Sequence, residues 1–146
     1  KILVGNPKAT RPWQHVLDPL AGYILLAERL CKLNETNNSV EKNRLCSSFN
    51  FGPGLDANKN VEELVNEIIK YWPGEWDKSP LSSDFHEAGK LNLQVDKAFH
   101  LLNWRSKWDF PTSVKRTINW YKNFFEDPNS SFSYCINDIE NYMQYK

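Results

Sequence analysis

The sequence predicts one α/β unit of α+β-like character, in which short strands alternate with about five helices. Apolar residues recur at helical spacing over several segments, and short apolar runs bounded by Gly, Pro or Asn lie between them. A length of 146 residues suffices for one hydrophobic core, and no internal repeat or low-complexity tract divides the chain. We therefore interpret residues 1–146 as a single domain.

The first half of the chain predicts a strand, a loop and a long helix. Residues 2–4 predict a buried strand that enters a turn at Gly5-Asn6-Pro7. After the loop of residues 8–17, Asp18 is a candidate helix cap and Pro19 suits the first helical position. Apolar positions from Leu20 to about residue 33 predict one buried helix face. Residues 34–44 are polar and aperiodic, which predicts an exposed loop.

The middle of the chain predicts three strands around one helix. Residues 48–51 predict a strand that ends at Gly52-Pro53-Gly54. Asn60 and Glu63 have the spacing of a capping box, and the apolar stripe that follows predicts a helix ending near Pro73. Trp76 is a candidate for a short edge strand. The alternation of apolar and polar residues over 91–95 predicts a half-buried strand.

The last third predicts three helices. Asp96 and Thr112 are candidate caps of a short and a longer helix, and Asp127-Pro128-Asn129 closes the longer one. Asn137 with Glu140 has the spacing of a second capping box, which predicts a small terminal helix.

Composition limits the classes of partner. Eighteen basic residues balance eighteen acidic ones, which argues against a nucleic-acid partner. The longest apolar runs are far shorter than the roughly 20 residues of a membrane-spanning helix, so we expect a soluble protein. Cys31, Cys46 and Cys135 are widely spaced and form no CxxC pair, which predicts neither disulfides nor a zinc site and favours a reducing cytoplasm.

Most motifs are weak evidence for a catalytic or binding role. The Gly52-Pro53-Gly54 segment has the GxGxxA form of a dinucleotide loop, but no helix is predicted to open at its end, so a turn is the better interpretation. The pattern Tyr142-x-x-x-Lys146 lies at the terminus and is interpreted as chance. The pair His86-Glu87 either acts on a ligand or is a solvated loop pair. The three histidines are too dispersed for a metal site.

Arg11 is the strongest candidate. A guanidinium on a loop between a strand and a helix can bind a phosphate through two parallel hydrogen bonds. It can equally pair with Asp18 or cover Trp13, and the residues alone leave both interpretations open.

Two longer motifs are similar to those of a known family. The segment GNPxxxRPWQHVLDPLxGY at residues 5–23 and FNFGP at residues 49–53 resemble the second half of CDP-glucose 4,6-dehydratases, which are extended short-chain dehydrogenase/reductases. His86-Glu87-Ala88, Leu102-x-Trp104 and the closing Tyr142-Met143 extend the likeness over essentially the whole chain.

The resemblance implies a function and a set of site residues. Members hold NAD in an amino-terminal Rossmann domain and a nucleotide sugar in a smaller carboxy-terminal domain, and they convert CDP-glucose to CDP-4-keto-6-deoxyglucose, a step toward lipopolysaccharide O-antigen. By resemblance Arg11 contacts the diphosphate, and Asn50 and Asn6 lie at the substrate. His86 stands where many relatives carry a second phosphate-binding Arg.

The catalytic motifs of that family are absent from this chain. The resemblance therefore implies a carboxy-terminal, substrate-binding fragment without catalytic, cofactor-binding or metal-binding residues of its own, whose partners are a nucleotide sugar, the Rossmann half and a second copy of the protein. The alternatives are a non-catalytic nucleotide-sugar-binding domain and another epimerase or dehydratase of the superfamily.

Overall fold

The computed structural model describes residues 1–35, 38–79 and 89–145. Six α-helices and four short strands lie in these ranges, so the mixed α/β class predicted from the sequence is confirmed. The strands are β1 (Ile2–Val4), β2 (Thr10–Pro12), β3 (Asn58–Asn60) and β4 (Trp76–Lys78). The helices are α1 (Leu17–Asn34), α2 (Ser39–Leu45), α3 (Val61–Ile68), α4 (Asp96–Leu102), α5 (Phe110–Glu126) and α6 (Ser131–Gln144).

The strands form two separate pairs. β1 and β4 are parallel, with Ile2 opposite Trp76, whereas β2 and β3 are antiparallel, with Arg11 opposite Lys59. These findings confirm the predicted strands at residues 2–4 and at Trp76. They also add β2, which the sequence analysis placed in a loop. Parallel strands are normally covered on both faces, yet Ile2 and Leu3 are exposed here.

Two hydrophobic clusters form the core. The first joins Phe51 and Trp104 to α4 and to the inner face of α1. A Cβ atom at Gly22 would overlap the Phe51 ring, so α1 can approach this cluster closely only because residue 22 is glycine. The second cluster surrounds Ala57, Phe110 and Val114 and brings β3, α3 and α5 together. The second cluster includes Trp13 and so anchors the segment that leads from β2 into α1.

Two predicted strands are wrong. Residues 48–51 and 91–95 are not in strands, although Phe51 is buried and Leu93 and Val95 are half-buried. The two segments lie side by side, but the bond between them runs from the Asn50 side chain to the Gln94 carbonyl. Alternating burial gives a strand only where a neighbouring backbone completes the ladder, and backbone pairing in the described residues stops here at an isolated bridge between Thr10 and Lys90.

Four predicted helix starts are also wrong. Asp18 is the second residue of α1, and Pro19 the third, because the cap position is Val16. Asp96 is likewise inside α4, α5 is capped by the Asp109 carboxylate rather than by Thr112, and α6 begins at Ser131 and runs through Asn137 without a break. Polar residues that can cap a helix are common, and tertiary packing decided which of them does.

The region after α1 and the end of α3 differ from expectation as well. Residues 39–45, expected in an exposed loop, form α2, whose cap Asn38 accepts a hydrogen bond from the Glu41 N–H at 3.1 Å and whose Leu45 enters the core. The Asn60/Glu63 capping box of α3 is confirmed, but this helix ends at Ile68 rather than near Pro73. No helix in the described part of the chain is long and apolar enough to span a membrane.

Candidate functional site

Arg11 lies on β2, which is bonded to backbone on both sides. On one side β2 pairs with β3, and on the other the Thr10 N–H donates to the Gly89 carbonyl at 2.9 Å and the Leu91 N–H donates to the Thr10 carbonyl at 3.2 Å. The half-buried Arg11 donates from Nη1 to that same Thr10 carbonyl at 2.8 Å. Its guanidinium is therefore held against the backbone of its own strand.

Trp13 and Gln14 tie the next part of the loop to the core. The Trp13 N–H donates to the Ala57 carbonyl at 3.2 Å, and its indole Nε1–H donates to the Lys59 carbonyl at 2.9 Å. The Gln14 amide donates to the Phe51 carbonyl at 2.9 Å. Both side-chain donors are therefore bonded to backbone carbonyls, while the buried Gln14 Oε1 accepts no hydrogen bond from the described residues.

His15 is buried, with 6% of its surface exposed. Its ring meets Trp108 edge to face at 4.7 Å between centroids, and its Nδ1 accepts a hydrogen bond from the Leu17 N–H at 3.3 Å. Burial lowers the pKa of His15 below 6.5, although the carboxylates of Asp138 and Asp18 act in the opposite direction. The neutral ring is thus an element of packing at the start of α1.

Asp18 is completely buried and joins three distant segments. Its Oδ1 accepts hydrogen bonds from the Lys107 backbone N–H at 2.7 Å and from the Tyr142 hydroxyl at 2.8 Å. Burial, together with this bond to the carboxylate, raises the pKa of Tyr142. The Tyr142 phenol is therefore a structural donor, and Lys146, the other member of the Tyr-x-x-x-Lys pattern, lies outside the described residues.

Two of the remaining predicted site residues, Asn50 and Asn6, lie in the described part of the chain. Asn50 is exposed and borders a cleft of about 310 Å³, which is lined by Ser48, Phe49, Asn50, Gln94 and Lys97. The Asn6 side chain accepts a hydrogen bond from the Lys8 N–H at 3.3 Å within the turn after β1. His86 lies outside the described residues.

Gly52-Pro53-Gly54 has no regular secondary structure, and Gly54 is extended. It leads into a single 3-10 turn at Leu55–Ala57 and then β3, so no helix opens at its end as a dinucleotide loop requires. Residues 105–109, which include Trp108, lie opposite Gly52-Pro53-Gly54. Together with Phe99 they close a cleft of about 470 Å³. Sequence reasoning missed this cleft, because its two walls are about 50 residues apart in the chain.

Among the residues that the structure describes, no group of three or more His, Cys, Asp or Glu side chains is placed to hold a metal ion. Cys31, Cys46 and Cys135 are exposed thiols that form no disulfide with one another.

Comparison with known proteins gives one informative similarity. The chain is 35% identical over 125 residues to CDP-glucose 4,6-dehydratase of Salmonella typhimurium, and the match covers 84% of this chain and 32% of that protein. The chain therefore spans about a third of the length of the relative it matches. No family model matches it. The similarity confirms the resemblance drawn from the motifs at residues 5–23 and 49–53.

Proposed function

We propose, from the premise that the chain belongs to the family of CDP-glucose 4,6-dehydratases, that it is the carboxy-terminal, nucleotide-sugar-binding part of such an enzyme. In the full-length protein, a preceding Rossmann half binds NAD. The reaction oxidises the sugar at carbon 4, eliminates water across carbons 5 and 6, and returns the hydride to carbon 6. This chain supplies contacts to the substrate, and the chemistry belongs to the preceding half.

The observation on which we base the binding role is the setting of Arg11. It stands in the motif most specific to the family, on a strand bonded to backbone on both sides, with its guanidinium held at the Thr10 carbonyl. A guanidinium whose backbone is fixed is suited to bidentate recognition of a diphosphate. We assign Arg11 to the diphosphate and Asn50, Asn6 and His86 to further contacts with the nucleotide sugar.

The exposed apolar surface supports the presence of a preceding half. Leu20, Tyr23 and Ile24, which the helical pattern places on a buried face of α1, are 44%, 57% and 61% exposed. The parallel pair of β1 and β4 has two strands only in the described chain. Both features fit a sheet and a helix layer that residues outside this chain complete. The coding sequence upstream of Lys1 tests directly whether such a half precedes the chain. Absence of a glycine-rich NAD loop there would contradict the hypothesis that the full-length protein is an NAD-dependent enzyme.

Arg11→Lys in the full-length protein is the test of the binding role. Lysine keeps the charge but loses the two-pronged donor, so we expect the KM for CDP-glucose to rise by about tenfold, while kcat changes little. Steady-state kinetics at saturating NAD measure both constants. An unchanged KM would mean that Arg11 has a structural role and does not contact the diphosphate.

Calorimetric titration of the full-length protein with CDP, UDP and dTDP separates this function from that of another epimerase or dehydratase. We expect CDP to bind most tightly, and equal affinities would contradict the CDP assignment. A protein that binds CDP but converts no CDP-glucose would support the alternative of a non-catalytic nucleotide-sugar-binding domain. The three exposed thiols fit a cytoplasmic enzyme, and size-exclusion chromatography will determine whether it forms a homo-oligomer.

A further inference from the structure

We propose that Trp13 is a positioning residue that fixes Arg11 through the pairing of β2 with β3. The inference rests on the proposed contact of Arg11 with the diphosphate. It assigns to Trp13 no contact with substrate, and instead makes its indole N–H responsible for the place of the strand from which Arg11 projects.

The backbone of β2 offers few hydrogen bonds to β3. This strand has three residues, and only Arg11 directs its backbone N–H and carbonyl toward β3, because Thr10 bonds to Gly89 and Leu91 on the other side and Pro12 faces the same side as Thr10. Trp13 follows Pro12 and donates twice to the opposing segment, from its backbone N–H to Ala57 and from its indole to Lys59. Lys59 is the residue directly opposite Arg11, so the indole bond acts where Arg11 is held.

The indole of Trp13 is held in place by the second core cluster. The Trp13 ring packs in the second core cluster, beside Leu64 and Ile68 of α3 and close to Val114 of α5. A donor on a packed ring has a fixed position, whereas a two-stranded antiparallel pair of this length is marginally stable by itself. Trp13 therefore transmits the rigidity of two helices to a short strand.

The position of the Arg11 guanidinium depends on the position of the β2 backbone. Its Nη1 donates to the carbonyl of the adjacent Thr10, so the guanidinium follows any movement of the β2 backbone. Bidentate recognition tolerates displacements of about 0.5 Å. Loss of the indole bond should weaken substrate binding and leave the chemical step, which belongs to other residues, almost unchanged.

The experiment uses the full-length protein with NAD and compares Trp13→Phe with Trp120→Phe. Phenylalanine keeps an apolar ring and removes the indole donor in both variants. The indole of Trp120 donates to the Cys135 sulfur at 3.2 Å between α5 and α6, away from β2. For Trp13→Phe we expect the KM for CDP-glucose to rise about three- to tenfold with kcat within about twofold, and for Trp120→Phe we expect both constants to stay at wild-type values.

The double variant Arg11→Lys/Trp13→Phe separates positioning from general stability. If Trp13 acts through Arg11, its effect on KM disappears once Arg11 has lost its two-pronged donor, so the two changes are not additive. Equal KM values for Trp13→Phe and Trp120→Phe, or additive effects in the double variant, would overturn the positioning role while the function of Arg11 stands. A Trp13→Phe protein whose melting temperature and kcat fall together would also overturn it. An unchanged KM in Arg11→Lys alone would instead contradict the proposed function.

Discussion

At the scale of single residues, the motif at residues 11–19 divides into two parts. Arg11 lies on β2 and is half-buried, whereas His15 and Asp18 are buried. Asp18 shows that a local sequence pattern does not determine which partners a side chain has in the folded protein. Its position before an apolar repeat predicts a helix cap, but its carboxylate accepts hydrogen bonds from the Lys107 backbone and the Tyr142 hydroxyl instead. The start of α1, the segment before α5 and the end of α6 meet at this one side chain.

Asp18→Ala should therefore destabilise the protein strongly. It leaves the part-buried Lys107 N–H and the buried Tyr142 hydroxyl without an acceptor, and we expect a loss of about 2–4 kcal/mol in the free energy of unfolding. Asp96→Ala is the matched control, because Asp96 is also in the first turn of a helix but is exposed. We expect that change to cost less than about 1 kcal/mol. Denaturant unfolding of the full-length variants measures both, and similar losses would contradict the role assigned to Asp18.

At the scale of elements, helix boundaries depend on which of several competent residues is used. Asp109 and Thr112 both suit a cap, and they stand three residues apart. The structure uses Asp109, whose carboxylate accepts a hydrogen bond from the Thr112 N–H at 2.9 Å, because Phe110 is buried in the second core cluster and α5 must begin there.

The choice of cap is testable by exchange. Asp109→Ala should lower the free energy of unfolding by about 1 kcal/mol, because the Thr112 N–H loses its acceptor. Thr112→Ala should cost less than about 0.5 kcal/mol, since this side chain lies inside the first turn of α5. Thermal unfolding of the two full-length variants, followed by circular dichroism, compares them. The reverse order of melting temperatures would show that Thr112 is the cap.

At the scale of the whole molecule, the chain has a core but also apolar surface that a self-sufficient domain would cover. The inner face of α1 packs on Phe51 and Trp104, while Leu20 and Ile24 are exposed and Tyr23, whose ring meets Phe51 edge to face, is exposed as well. β1 and β4 form a parallel pair with exposed apolar side chains at Ile2 and Leu3. Parallel strands are typically covered on both faces, so we expect the full-length protein to cover these surfaces.

Ile24→Glu in the full-length protein tests that expectation. If α1 packs against the preceding half, a buried carboxylate there should lower the free energy of unfolding by about 2 kcal/mol or more. Val40→Glu is the control, because Val40 is 70% exposed, compared with 61% for Ile24, and lies on the short helix α2. Differential scanning fluorimetry should show a clear loss of melting temperature only for Ile24→Glu, and equal behaviour of the two variants would mean that this face of α1 is solvated.

The sequence by itself determined the α/β class, the long helix α1, the Asn60/Glu63 capping box, the strands at residues 2–4 and at Trp76, and the resemblance to CDP-glucose 4,6-dehydratases. Each of these depends on residues that are close together in the chain or on a continuous motif. Tertiary structure decided that residues 48–51 and 91–95 are not strands, that Asp18 is an anchor rather than a cap, and that Trp13 bonds to the residue opposite Arg11. These features depend on groups 46 to 124 residues apart, or on a neighbouring strand, and local spacing contains no information about which distant backbone supplies the partner.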